Sequence, residues 1–167
     1  MGHKIKHYFW PVVVFAFVCV IGYAARRAIG GIYSTAEATQ LLEALSRAGL
    51  YLGSAIATAS ATTLALMLTM IGMIKRMDED FDHEAYRNID VVAKLATASL
   101  MISLLVLLAF TLPVGEFEEL PGTWYTTLYE FLFAGCVVMV GLSAATVAMI
   151  YRTLRQVMAK ITPGDGL

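Results

Sequence analysis

The chain has 167 residues, of which 59% are hydrophobic and only 15% are charged, and its formal net charge is -1. Ordinary globular proteins carry about 25% charged residues, so a surface built from this sequence must be largely apolar. No basic stripe with interleaved aromatic residues is present, which excludes the usual electrostatic surface of a nucleic-acid-binding protein. The composition therefore predicts a protein that has lipid as its surroundings and no nucleic-acid partner.

Four apolar segments follow one another along the chain, at approximately 9–25, 51–74, 91–114 and 128–151. Each approaches or exceeds the ~17 to 25 residues that a helix needs to cross the hydrocarbon of a bilayer. No linker or second composition regime divides them. We therefore expect an all-α fold, an integral membrane four-transmembrane-helix bundle, as a single membrane domain over 1–167.

The first segment has an alternative interpretation. Its basic start, its apolar core and the small residues around Gly22-Tyr23-Ala24 also resemble a secretory signal with a cleavage site. The sequence leaves both interpretations open, and the other three helices keep their predicted orientation in either case.

The positions of the basic residues predict the orientation, because Lys and Arg concentrate on the cytoplasmic side. With the N-terminus inside, nine of the twelve basic residues fall on the inner side and three, namely Arg26, Arg27 and Arg47, on the outer side. The inner nine are Lys4, Lys6, Lys75, Arg76, Arg87, Lys94, Arg152, Arg155 and Lys160. We therefore expect cytoplasmic N and C termini and a multi-pass protein of the plasma (inner) membrane.

Several helices are predicted to extend beyond the bilayer. Ser34-Thr35-Ala36-Glu37 has the form of a capping box, and no strong breaker except Gly49 separates it from the second segment. A single helix of about 40 residues, roughly 60 Å long, is therefore expected there. Pro121-Gly122-Thr123 is typical of a helix start, and the fourth helix is expected to run past Arg155 towards Pro163.

The second segment carries an unusual set of small and hydroxyl residues. On a helix with 100° per residue they fall on one face roughly 100° wide, which we call the small-residue stripe. The stripe consists of Ser54, Thr58, Ala61, Thr62, Ala65, Thr69 and Gly72. It is a candidate pore lining, in which repeated hydroxyl oxygens face a cation path, or a candidate helix-packing face, in which small residues let helices approach closely.

Acidic residues gather on the predicted outer side as candidate outer-mouth acids: Glu116, Glu118, Glu119 and Glu130. Together they would raise the local concentration of cations at the mouth of an oligomer. Glu130 is the one acid that could sit within the membrane, about two turns into the fourth helix. Snorkelling to the outer surface and proton or cation binding both remain open for it.

Two further patterns predict structural contacts. Asp90 and Lys94 have the i,i+4 spacing of an ion pair at the inner edge of the third segment. In the fourth segment, Gly141 and Ala145 form a small-xxx-small pair, which predicts a tight helix contact within or between subunits.

The sequence contains no catalytic, cofactor or metal signature. The three histidines, His3, His7 and His83, lie outside the apolar segments, which disfavours a haem held between membrane helices. Cys19 and Cys136 lie inside apolar segments, where cysteines behave as small hydrophobes. Neither a nucleophile with a nearby base nor a phosphate-binding loop is present. We expect a protein that is not an enzyme and binds no cofactor.

The acidic run over 78–84 resembles the start of a calcium loop but departs from it at two positions. His83 stands where the tight turn needs Gly, and Ile89 stands where a bidentate Glu is required. No metal site is therefore expected.

These patterns lead to one functional hypothesis and one alternative. The hypothesis is an oligomeric, channel-like protein that conducts ions, with a bias towards cations, along the small-residue stripe. The alternative is a non-catalytic structural or regulatory subunit that docks onto a larger membrane complex through the same face. The expected partners are the lipid bilayer, further copies of the chain and, in the alternative, other membrane subunits.

Overall fold

The computed structural model describes residues 2–30, 35–74, 83–111 and 122–161, all of them in or directly next to helices. The helices are α1 (Gly2–Ile29), α2 (Thr35–Ile74), α3 (His83–Phe110) and α4 (Gly122–Ile161). All four are long and apolar enough to cross a membrane. The prediction of an all-α fold with four apolar helices is thus confirmed.

The long second and fourth helices are also confirmed. α2 begins directly after Ser34, which lies outside the described residues, and runs for 40 residues to Ile74. α4 also has 40 residues, beginning after Pro121 and ending at Ile161. At 1.5 Å per residue each is about 60 Å long, twice the ~30 Å of a hydrocarbon core.

Local chemistry explains where α1 and α3 end. Gly30 follows α1 with a φ of +81°, a left-handed conformation that glycine adopts without strain, and its amide bonds to the Arg27 carbonyl at 3.3 Å. α3 ends at Phe110, four residues before the predicted end of the third segment. The Thr111 amide and hydroxyl both bond to the Leu108 carbonyl, at 3.1 and 2.7 Å, and tighten the last turn.

The helices run up and down: α3 is antiparallel to both α2 and α4, α1 is antiparallel to α4, and α2 and α4 run parallel. α2, α3 and α4 pack against one another, and α1 packs mainly against α4. The main apolar core lies between α2, α3 and α4 and is formed by Leu42, Ile56, Val106, Phe110, Tyr129, Leu132, Cys136 and Met139. In the apolar stretch of each helix, the buried share is 11% for α1 and 6% for α2, whereas it is 33% for α3 and for α4. α1 and α2 are therefore the helices with most of their surface outside the bundle.

Candidate functional site

The small-residue stripe lies on the outside of the bundle. All seven of its residues are exposed, and α2 packs on its neighbours through a different face that includes the buried Gly49, Gly53, Ile56 and Ser60. At 100° per residue the two faces are roughly 150° apart around the helix. The stripe is therefore available for contacts outside its own chain.

The three threonine hydroxyls of the stripe donate to the backbone of their own helix. The Oγ1 atoms of Thr58, Thr62 and Thr69 each bond to the carbonyl oxygen four residues earlier, at 2.9 Å. A hydroxyl has one hydrogen to donate and two lone pairs to accept with. With the hydrogen used, each threonine presents only acceptor capacity to its surroundings, while the bond lowers the cost of exposing it to lipid.

Within the chain, the close contacts of α2 depend on glycines that lie outside the stripe. A Cβ added to Gly53 would lie 3.0 Å from the Leu107 side chain, and one added to Gly49 would overlap the Phe110 ring. The sequence interpretation centred on the stripe missed this contact. The small-xxx-small spacing of Gly49 and Gly53 was the signal that could have found it.

Glu130 has a specific partner that was not expected. The Arg26 Nη2 atom of α1 lies 2.6 Å from Glu130 Oε1, and Arg26 Nη1 donates to the Gly30 carbonyl at 2.9 Å. The guanidinium also lies 6.0 Å from the centre of the Tyr129 ring. The Glu130 charge is therefore compensated within the chain. The other three candidate outer-mouth acids, Glu116, Glu118 and Glu119, lie outside the described residues.

The predicted ion pair on α3 is confirmed. Lys94 Nζ lies 2.6 Å from Asp90 Oδ2, and both side chains are largely exposed. The pair allows a lysine to lie beside the apolar part of α3 without an uncompensated charge.

Serine hydroxyls connect α3 and α4 in the interior. Ser99 and Ser143 lie with their Oγ atoms 3.1 Å apart, and the fully buried Ser103 donates to the Ser99 carbonyl at 2.8 Å. The bond between Ser99 and Ser143 joins the two helices, and the Ser103 bond satisfies a buried hydroxyl within α3. Across the part of the chain that the structure describes, no group of three His, Cys, Asp or Glu residues could hold a metal ion.

The small residues of α4 pack within the chain. A Cβ added to Gly141 would lie 2.8 Å from the Phe15 ring of α1, and Ala145, four residues on, is buried. On the α1 side, a Cβ added to Gly22 would lie 2.6 Å from the Val137 side chain. The tight contact predicted at Gly141 and Ala145 is thus an intramolecular one between α1 and α4.

The fold and its surface together define the class of the protein. Large apolar side chains on all four helices point outwards, among them Phe17, Leu68, Leu105 and Phe131. A soluble monomer rarely exposes apolar area on this scale, whereas lipid tails accommodate it. The chain is a multi-pass α-helical membrane protein. Comparison with protein-family models, with curated proteins and with solved structures found no match.

Proposed function

We propose that the protein is an oligomeric, channel-like membrane protein that conducts cations along the small-residue stripe. The observation that carries this proposal is the exposure of all seven stripe residues on a face that none of the four described helices covers. In a ring of subunits, the same face of each α2 would meet a central path. In such an arrangement, the polar residues on the outer face of α2 would line the ion path instead of facing lipid.

The chemistry of the stripe supports a cation as the conducted ion. Thr58, Thr62 and Thr69 have their hydroxyl hydrogens bonded to the helix, so the oxygen lone pairs are what they offer to an ion. Oxygen acceptors replace part of the water around a cation, while an anion would need donors. The predicted outer-mouth glutamates would add to this bias, although Arg26 compensates the charge of Glu130.

Ion flux through liposomes tests this proposal. Purified protein in liposomes should release trapped potassium faster than protein-free liposomes. Thr62→Val removes one oxygen at nearly constant volume and should change the flux about fivefold, the effect of ~1 kcal/mol. Absence of flux above that of empty liposomes would exclude the channel.

Thr97→Val is the matched control for this variant. Thr97 is an exposed threonine on α3 whose hydroxyl also bonds to the carbonyl four residues earlier, here that of Ala93 at 2.8 Å. It lies outside the stripe, so its flux should equal that of the unmodified protein. An equal effect of both substitutions would show that the stripe is not the conducting path.

The same geometry supports a second candidate function, that of a non-catalytic subunit that docks onto another membrane protein. Because the stripe threonines already donate to their own helix, the stripe can be covered by an apolar helix without leaving hydroxyl hydrogens unsatisfied. In this case the small residues would let a helix of the other protein approach α2 closely, and the hydroxyl oxygens would contact no ion.

Substitutions that add volume distinguish assembly through the stripe from other arrangements. Ala65→Leu places a larger side chain on the stripe and should dissociate the assembly, whereas Ala59→Leu, at an exposed position outside the stripe, should not. The molar mass of the purified protein in detergent, measured by light scattering, is the readout. A single-chain mass for the unmodified protein would contradict the homo-oligomer and favour docking onto a different subunit.

A further inference from the structure

A groove between α1 and α4 is a second surface, independent of the small-residue stripe. It has a volume of about 860 Å³ and lies between the C-terminal half of α1 and the N-terminal half of α4. We call it the α1–α4 groove. Its lining includes Cys19, Gly22 and Arg27 on α1 and Glu130, Ala134 and Val138 on α4.

The α1–α4 groove is polar at one end and apolar along the rest. Arg26, Arg27 and Glu130 line the end near the last turn of α1. From Arg27 to Cys19 the groove follows eight residues of helix, roughly 12 Å at 1.5 Å per residue, and its lining there is apolar. Tyr23 and Trp124 are exposed near the polar end, as aromatic residues at the headgroup level of a bilayer are.

Among the described residues that line it, the polar end carries two arginines and one glutamate, an excess of one positive charge. Arg26 is paired with Glu130 at 2.6 Å. The exposed Arg27 side chain forms no ion pair with any residue that the structure describes. Its guanidinium is therefore available to an anion at the depth where lipid headgroups lie.

We propose that the α1–α4 groove binds an anionic phospholipid of the surrounding bilayer. The lipid phosphate contacts Arg27, and one acyl chain lies along Gly22, Ala134 and Val138. Charge complementarity selects an anionic headgroup, and the apolar length of the groove selects a molecule with a tail. A soluble phosphate would meet only the polar end.

Lipid titration of the delipidated protein in detergent, followed by native mass spectrometry, tests the proposal. The probes are phosphatidylglycerol and phosphatidylcholine with identical acyl chains. The first bound phosphatidylglycerol should bind about fivefold more tightly, as expected for ~1 kcal/mol from one arginine. Glycerol phosphate, which has no acyl chain, should not bind measurably. Equal affinity for the two lipids would overturn the proposal.

Substitutions at two positions distinguish the contribution of the lipid headgroup to binding from that of the acyl chain. Arg27→Gln should abolish the preference for phosphatidylglycerol, and Arg27→Lys should keep most of it. Ala134→Leu fills the groove at an exposed position and should weaken the binding of both lipids. Preserved preference in Arg27→Gln would overturn the proposal even if the unmodified protein selects phosphatidylglycerol.

The control for the charge is Arg47→Gln. Arg47 lies at the same end of the bundle but on α2, where it pairs with Glu43, and it is outside the groove. Removal of the Arg47 charge should leave the lipid preference unchanged.

The oligomeric state of Ala134→Leu tests a different occupant of the groove. If this variant converts an oligomer into single chains, a second copy of the protein occupies the groove, and the lipid site is excluded.

Discussion

The hydroxyl residues of this bundle differ in the partners of their hydrogen bonds. Thr58 and Thr62 are exposed and bond only to their own helix, whereas Ser99 and Ser143 bond to each other between α3 and α4. Helical periodicity in the sequence predicts which hydroxyl residues share one face of a helix. It does not show which neighbouring helix covers that face. The contact between Ser99 and Ser143 therefore appears only in the folded chain.

The contact between Ser99 and Ser143 should make a measurable contribution to stability. In a double-mutant cycle with Ser99→Ala and Ser143→Ala, we expect a coupling of about 0.6 kcal/mol, typical of hydrogen bonds between membrane helices. The free energy of unfolding in detergent is the readout. A cycle of Thr97→Val with Ser143→Ala serves as the control and should show no coupling, because Thr97 bonds within α3.

At the scale of the helix, glycines decide how closely the elements approach. Gly22 and Gly141 bring α1 against α4, and Gly49 and Gly53 bring α2 against α3. Gly72 belongs to the stripe, and no described residue of a neighbouring helix lies within 4 Å of the position where its Cβ would be. Glycine thus allows close helix contacts at these four positions, whereas Gly72 lies on an exposed face of α2.

Gly22→Ala and Gly72→Ala should have opposite effects on the stability of the chain. At Gly22 the new Cβ would lie 2.6 Å from the Val137 side chain, so overpacking should cost about 1–3 kcal/mol of unfolding free energy. At Gly72 the added methyl meets none of the residues that the structure describes on other helices, and alanine is favoured over glycine in a helix by roughly 0.5–1 kcal/mol. Denaturant titration of both variants in detergent is the measurement. Equal changes would contradict the packing of α1 on α4.

The lengths of α2 and α4 followed from local signals in the sequence. The capping-box pattern over 34–37 and Pro121 are sequence signals whose effect is confined to one helical turn, so they needed no tertiary information. α3 ends at Phe110, where the hydrogen bonds of Thr111 close the last turn, while the apolar segment of the sequence continues to Val114.

At the scale of the whole molecule, the orientation in the membrane remains a prediction from the basic residues. The structure places Arg47 of α2 near the end of the bundle that holds Arg26, and Arg155 of α4 near the opposite end. The positive-inside rule assigns the end with Arg155 to the cytoplasm.

Cysteine labelling tests this orientation. After Cys19 and Cys136 are replaced by alanine, Arg47→Cys should react with a membrane-impermeant maleimide in intact cells. Arg155→Cys should react only after the membrane is permeabilised. Both positions are exposed, so access to the reagent decides the result. The reverse pattern would place the termini outside.

The sequence alone was sufficient for the class of protein, the helix count and the existence of the stripe, because hydropathy, caps and helical periodicity act over short stretches of chain. It also supplied the i,i+4 pair of Asp90 and Lys94 for the same reason. The partner of Glu130 could not be found in this way, since Arg26 is 104 residues away and only the packing of α1 on α4 brings the two together.

The direction in which the stripe faces was decided by the tertiary structure. A small, weakly polar face on a helix fits intramolecular packing as well as an outer surface, and local sequence does not distinguish the two. In the folded chain, Gly49 and Gly53 approach Leu107 and Phe110 of α3 on one side of α2, which leaves the stripe on the other. The physical reason is that close approach is settled between helices distant in sequence, whereas periodicity is a property of one helix.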